Sequence, residues 1–364
     1  MFERLAALLA DHLYERMRLR LRKDVQADLF GLMERVGPDR KPQTNPLAQA
    51  LKDNANLRWN VKVLASALAE QLYATGVAGP TAPIPRDPQW SNLRSKLCCQ
   101  ADIESVWARY WCGQLQLVPL YRRGIWELCF ALQAIWEAGL IIEGTRALGF
   151  GVGRDVLPAF LASRGVSVLA TDMGGLVEES RLWRGLDGHA ARVEDLVCPS
   201  HIDPALVASY CDFRAVDMTD IPADLHGGFD VCWSVCAFEH LGSIEAGLAF
   251  VENSLKCLKP GGIAVHTTEF SLDPSPETTD DWPTVLYHQR HFDELALRLA
   301  RQGHELLPID LDGGSGPLDR FIDHPPYAHD PHPALAYPMA PHLKLSVDGF
   351  PVTSAGLIIR TAAG

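Results

Sequence analysis

A chain of 364 residues, 47% hydrophobic and 21% charged, is long enough to bury a full core and to hold one large domain with a smaller appendage. Its formal charge of −12 disfavours duplex nucleic acid as a partner, because such binding relies on cationic groups that neutralise phosphates. The nine cysteines include the adjacent Cys98 and Cys99, several lie in apolar runs, and none forms a C-x-x-C pair, the pattern of buried reduced thiols rather than of a disulfide framework or a zinc site.

The opening MFERLAALLADHLYERM is broken by charges too early for a signal peptide, and no apolar run reaches membrane-spanning length, so a cytoplasmic protein is expected. From Phe2 to about Val36 apolar residues recur at helical spacing (Leu5, Leu8, Leu9, Leu13, Met17). Gly37, Pro38 and Pro42 end that helix, and a second amphipathic helix is predicted from about Pro46 to Tyr73. The basic cluster Arg16, Arg18, Arg20, Arg22 and Lys23 reads as the solvated face of a helical hairpin used for packing or for homo-oligomerisation, in preference to a membrane-surface patch. Residues 1–78 are thus taken as an N-terminal helical region, and the proline-rich stretch 79–89 as a linker.

Residues 90–144 read as helices rich in aromatics, among them Trp107, Tyr110, Trp111, Tyr121, Trp126 and Trp136. Within them YRRGIWE (Tyr121 to Glu127) sets two arginines and a glutamate among large apolar side chains. It suits either bidentate capture of a carboxylate or an ion pair that fixes a cap on a sheet. The stretch TRALGFGVGRDVLPAFLASRGVSVLATD (Thr145 to Asp172) then reads as strand, glycine turn, helix and strand. Glycines at 149, 151 and 153 allow positive φ and close approach of backbone to a ligand. The helix that follows points free N–H groups at the turn, and an acid closing the second strand is where a βαβ unit reads ribose hydroxyls. Arg154 stands where the dinucleotide pattern G-x-G-x-x-G needs its third glycine. Further strands are expected at Asp212 to Met218, Phe229 to Val235, Ile263 to Thr268 and His304 to Leu311. Helices fall at Asp203 to Tyr210, Leu248 to Leu258 and Phe292 to Gln302, and the tail reads as an extended pair around Asp348 and Gly349. Alternation of strands and helices implies a parallel, doubly wound sheet. The proline- and histidine-rich stretch Asp323 to Pro341 is taken as a rigid surface loop.

Three downstream segments, VDMTDIP (Val216 to Pro222), GFDVCWSVCAFEHLG (Gly228 to Gly242) and LKPGGIAVHTTEF (Leu258 to Phe270), join the glycine turn in an order and at distances that resemble the class I S-adenosylmethionine-dependent methyltransferases, over roughly Thr145 to Thr361. The resemblance implies an α/β fold, a Rossmann-like doubly wound seven-stranded sheet whose last strand is antiparallel. Residues 145–364 would form the cofactor domain and 90–144 a helical cap or lid. The implied cofactor is S-adenosyl-L-methionine. Gly149, Gly151 and Gly153 would pass beneath it, Asp172 and Met173 would take the ribose, Asp217 and Met218 the adenine, and Ser234 and Val235 would flank the amino-acid part and the reacting methyl. One departure stands out: Ala147 occupies a position, two residues before the first glycine, that is usually acidic, so Glu127, Glu239 or a backbone carbonyl would receive the cofactor's amino group.

Methyl transfer is an in-line displacement at an activated carbon, so alignment and electrostatics carry it, and a hydroxyl acceptor also needs its proton taken. The candidate catalytic residues beyond the carboxyl ends of the strands are His240, Glu239, Glu269 and His291, with His240 first among them as base; His266, inside an apolar strand, is expected to be a core histidine. Glu239, His240, Glu269 and His291 could converge as metal ligands, but no metal is expected, because Cys236 holds the place where some related enzymes carry an additional acid. The expected reaction is methylation of a hydroxyl on a small molecule or sugar, in a bacterial glycan or secondary-metabolite context. The alternatives are an N- or C-methyltransferase, a non-catalytic cofactor-binding scaffold that acts through its helical N-terminus, and, last, a nicotinamide oxidoreductase.

Overall fold

Apolar runs separated by glycine and proline turns fold here as strands of one sheet. The computed structural model describes residues 46–173, 190–275, 277–325, 327 and 340–363. The chain divides into two compact units, Met1–Leu64 and Ala65–Gly364. That division lies inside the helix α1 (Pro46–Ala74) rather than at the proline-rich stretch, which is irregular. The first expected helix, Phe2 to Val36, and most of the loop Asp323 to Pro341 lie outside the described residues.

In the second unit the order is β1 (Ser95–Leu97), α2 (Gln100–Ile103), α3 (Val106–Leu115), α4 (Arg123–Glu137), β2 (Arg146–Phe150), α5 (Leu157–Ser163), β3 (Ser167–Asp172), α6 (Pro204–Tyr210) and β4 (Cys211–Ala215). There follow β5 (Phe229–Val235), α7 (Ile244–Leu255), β6 (Leu258–Ser271), α8 (Gln289–Arg301), β7 (Glu305–Leu306), β8 (Ile309–Asp310), β9 (Ile322–Asp323), β10 (Lys344–Val347) and β11 (Phe350–Arg360). Local chemistry sets several starts. Ser105 accepts from the Ala108 N–H at the head of α3, Asp203 from Ala205 before the proline that opens α6, and Ser243 from Ala246 at α7.

The sheet runs β4-β3-β2-β5-β6-β11-β1-β8. Its first five strands are parallel, and β11 lies antiparallel to β6. The expected parallel core and antiparallel last strand are therefore present, but the count is eleven among the described residues, not seven. The extra strands are short. β1 emerges from the region expected to be wholly helical, because Lys96 and Leu97 pair with Gly356 and Ala355 on the free edge of β11. The expected sixth strand divides into β7 and β8 around Leu307 and Pro308, and proline has no N–H to give a ladder. The PGG turn is absorbed into β6 as an irregularity: Leu258 pairs with Phe229, and Ile263 next with Val231.

Alternation along the strands builds two core layers. Ala147, Val168, Val231, Trp233, Val265 and Ile358 face α3, α4 and α5, where Trp111, Phe130 and Phe160 are buried. Leu148, Cys232, Ala264, Leu357 and Ile359 face α7 and α8, with Leu248, Phe250, Phe292 and Leu295. Covering both faces in this way makes the carboxyl ends of the parallel strands the exposed working edge.

Candidate active site

The glycine turn is shaped by its neighbours. A side chain at Gly149 would place Cβ 2.5 Å from the Trp233 ring, so the indole crosses that position and requires glycine. Gly151 and Gly153 have φ of +55° and +52°, where residues with a Cβ are strained. A Cβ on Gly151 would also stand 2.9 Å from Ala237 Cβ and 3.1 Å from Met218 Sδ. The turn therefore closes against the loops that follow β4 and β5. Asp172, buried at the end of β3, accepts from the Gly153 N–H (3.0 Å) and Ala190 N–H (3.1 Å) on Oδ2 and from the Met173 N–H (2.7 Å) on Oδ1. Asp217 is half-buried and accepts from both the N–H and the hydroxyl of Thr219. Ser234 is buried and bonded to His266, Val235 is half-buried at the end of β5, and Met173 is exposed.

Next to this turn lies a cluster of carboxylates drawn from three elements. Glu127 comes from α4, Glu239 from the short helical turn after β5, and Glu269 from β6. Arg123, one turn before Glu127, pairs with Glu127 and Glu269, and Glu239 acts on it only through its charge. Its Nη2 is 2.5 Å from Glu269 Oε1, and its Nη1 is 3.4 Å from Glu127 Oε1 and donates to Ser354 Oγ at 3.2 Å. Ser354 stands opposite Glu269 in the β6–β11 ladder and donates to Glu127 Oε1 as well. Cys236, the residue after β5, has φ of +43° and directs its thiol to Glu127 Oε1 at 3.0 Å. Glu239 Oε2 accepts from Thr268 Oγ1 at 3.1 Å. Two buried carboxylates thus share one guanidinium, with the third, Glu239, buried beside them.

The electrostatics follow from that imbalance. Burial raises the Glu269 carboxyl to about 7; Arg123 opposes the shift, and Glu239 and Glu127 add to it. Glu239 is also raised, chiefly by burial. Asp155, whose Oδ1 accepts from the N–H groups of Val156 and Leu157 ahead of α5, is pushed up to about 7 by burial, with Glu127 contributing. The Cys236 thiol is raised by burial and then by Glu127. Burial alone would lower Arg123, but Glu269 and the surrounding anions hold it above its ordinary range. Among the described residues Glu239 Oε1, Glu269 Oε2 and the Tyr287 hydroxyl are buried with no hydrogen-bond partner. An unpaired buried carboxylate oxygen is costly, so the cluster is built to receive a donor or a cation.

Of the residues singled out from sequence, Glu239 and Glu269 are brought together here; His240 lies near enough for its charge to oppose the rise in Glu239, and His291 serves the start of α8. His240 is exposed, its Nδ1 bonded to Pro283 O (3.0 Å) and Thr284 Oγ1 (3.2 Å). His291 Nδ1 accepts from the His288 N–H at 3.0 Å and caps the start of α8. Tyr121 to Glu127 serves as an ion pair that ties α4 to β6. Ser354, Tyr287 and Asp155 gave no signal in the sequence, because distant packing delivers them.

An S-adenosylmethionine carries a sulfonium and an ammonium, and the residues present fit such a group. Two unpartnered carboxylate oxygens and a shortage of positive charge lie beside the glycine turn. Asp172 already meets three peptide N–H groups, so a ribose bound there competes with them.

No family model matches the chain, and neither does any curated protein. Solved structures similar to it include a candidate sarcosine dimethylglycine methyltransferase from Galdieria sulphuraria, with 13% identity, TM-score 0.38, and coverage of 66% of this chain and 85% of that one. The [4+2]-cyclase SpnF has 16% identity and TM-score 0.37, covering 66% and 83%. An S-adenosylmethionine-dependent methyltransferase from Mesorhizobium loti has 14% identity and TM-score 0.33, covering 62% and 97%. Strand order decides the fold, with five parallel strands and an antiparallel β11 beside β6. On that topology the chain has a Rossmann-like α/β fold, a parallel sheet with an antiparallel strand beside β6.

Proposed function

We propose that the protein is an S-adenosylmethionine-dependent methyltransferase whose acceptor is a hydroxyl on a small molecule or sugar. The observation that carries this reading is the pair of unpartnered carboxylate oxygens, Glu239 Oε1 and Glu269 Oε2, beside the glycine turn at the carboxyl edge of the sheet. The cofactor supplies a methyl group already activated by its sulfonium. The chain's own residues do the rest. Asp172 and the N–H groups around Gly153 hold the ribose, Asp217 and Met218 border the adenine, and Glu127 balances the cationic end. One of Glu239 and Glu269, in its ionised form, accepts the hydrogen bond of the acceptor hydroxyl and fixes its oxygen for in-line attack. It takes the hydroxyl proton as the methyl passes from the sulfonium to that oxygen, with S-adenosylhomocysteine as the leaving product. Arg123 holds Glu269 still by its paired oxygen and leaves the other directed at the acceptor. Alignment of this kind supplies about 7–11 kcal/mol in well-oriented systems.

Isothermal titration of the full chain with S-adenosylmethionine and S-adenosylhomocysteine tests the cofactor. Both are expected to bind, NADH is expected not to displace them, and Asp172→Asn is expected to weaken them by about tenfold or more, since a hydrogen bond to a charged group is worth about 1.5–3 kcal/mol. Absence of binding, or displacement by NADH, overturns the reading. Labelled cofactor with panels of alcohols, amines and carbon acids then separates the acceptor classes. Binding without turnover across all of them would favour a scaffold.

A further inference from the structure

The residues around Cys236 carry a second chemistry that methyl transfer does not require. Cys236 Sγ and one carboxylate oxygen each from Glu239 and Glu269 lie within 4.8 Å of one another. Glu239 and Glu269 each also present a buried oxygen with no partner. The left-handed backbone at Cys236 turns the thiol toward Glu127, while the residue itself is half-buried.

Charge points the same way. The Arg123 guanidinium pairs with Glu127 and with Oε1 of Glu269 and lies 3.6 Å from Cys236 Sγ. It leaves Oε2 of Glu269, and Glu239 adds a further buried carboxylate. A sulfur donor beside two carboxylates is a mixed set that suits a borderline-soft ion, whereas magnesium and calcium prefer oxygen alone. Three protein ligands with a fourth position open is the arrangement of zinc sites that act on a bound molecule. Zinc–donor distances of about 2.0–2.3 Å require these groups to close by about 1 Å, which side-chain rotation of two glutamates can supply.

We propose that Cys236, Glu239 and Glu269 form a site for one divalent transition-metal ion, of which Zn2+ is the best fit. The thiol loses its proton to solvent as the sulfur–metal bond forms, and no electron is transferred. The thiolate then gives up its hydrogen bond to Glu127, and Arg123, 3.6 Å from the sulfur and paired with Glu269, stands behind the ligands and orients them. The proposal is independent of the methyl-transfer reading, since an ion binds here with neither cofactor nor acceptor present. With both, it would take over the contact to the acceptor oxygen.

The test uses the full chain, stripped with a chelator and titrated with Co2+ as a spectroscopic probe. One equivalent is expected to bind with an intense thiolate-to-cobalt charge-transfer absorption, and Zn2+ is expected to abolish that absorption by displacement. Cys236→Ser is expected to lose the absorption, and Glu239→Gln to weaken Co2+ by about tenfold or more, with circular dichroism and thermal melting confirming that each variant is folded. Zn2+ is further expected to raise the melting temperature of the native chain and not of Cys236→Ser. Failure of Co2+ to bind overturns the site, as does binding without the sulfur absorption or an absorption that survives in Cys236→Ser. The S-adenosylhomocysteine titration on the metal-free chain reads the methyltransferase assignment separately, so the two can fail independently.

Discussion

His266 lies in β6 with both ring nitrogens taken, Nδ1 by Ser234 Oγ at 2.8 Å and Nε2 by Ser254 Oγ at 3.2 Å, and it is fully buried. Burial alone depresses it to about 3, so it is neutral in the folded protein over the whole working range. The unfolded chain takes a proton near 6.5, which the folded chain refuses. Stability is therefore intact above about 6.5 and falls as the solution is acidified toward about 3. At pH 4 the penalty comes to about 3 kcal/mol. Denaturant midpoints at pH 7 and pH 4 check this: the fall for the native chain is expected to exceed that of His266→Gln by about that amount. The raised carboxyls of Asp155 and Glu269 work in the opposite sense, since a folded carboxyl raised above its unfolded value loses stability as pH climbs. The difference between native and variant isolates the histidine. Equal slopes in the two proteins would remove burial as its controlling feature.

At the scale of elements, α4 is pinned to the sheet by charge as well as by packing. Trp126 and Phe130 are buried and stacked at 4.9 Å between centroids, and the Trp126 indole N–H donates to Asp102 at 2.7 Å. Arg123 adds the bridge to Glu269 on β6. Removing one partner of a buried pair strands the other, at a cost of about 3–5 kcal/mol. Arg123→Met is expected to lose stability on that scale, and Arg123→Met combined with Glu269→Gln to lose less than the sum of the two single changes, measured as a double-mutant cycle in urea. Strict additivity would mean that the pair does not act as a unit. The same element marks how far sequence reading reaches. β2, β3 and β5 follow the apolar runs to within a residue or two, because strands buried on both faces read as continuous hydrophobic segments. β1 escapes notice, since Ser95 and Lys96 carry no such signal and only the edge of β11 makes them a strand. Glu239 and Glu269 are visible as acids at strand ends, but their partners Arg123, Glu127 and Ser354 are separated from them in sequence by more than a hundred residues or by a register known only once β11 pairs with β6. His240 and His291 sit at equally suggestive positions, and local hydrogen bonds engage a ring nitrogen of each. Spacing places a residue on an edge, whereas the direction of its side chain depends on packing.

For the second unit as a whole, the ladder at the centre of the sheet ought to be the last part to open. β11 and β6 pair continuously from Val352 opposite Ser271 to Arg360 opposite Ile263, and nearly every side chain along both strands in that span is buried. Two core layers meet across it, one under α3, α4 and α5 and the other under α7 and α8. At the rims the support thins. β4 has one neighbour among the described residues and buries only Cys211 fully, and β8 is two residues long against β1. Opening the rims exposes little apolar surface, whereas opening β6 from β11 exposes both layers together. Native-state hydrogen exchange is expected to find the slowest amides on β6 and β11 between Ile263 and Ser271 and between Val352 and Ile359, at the free energy of global unfolding. Amides of β4 and β8 are expected to exchange by local opening at visibly lower free energy. Should β4 match the centre, the parallel half would be as cooperative as the antiparallel seam, and β11 could no longer be treated as the strand that ties the two layers together.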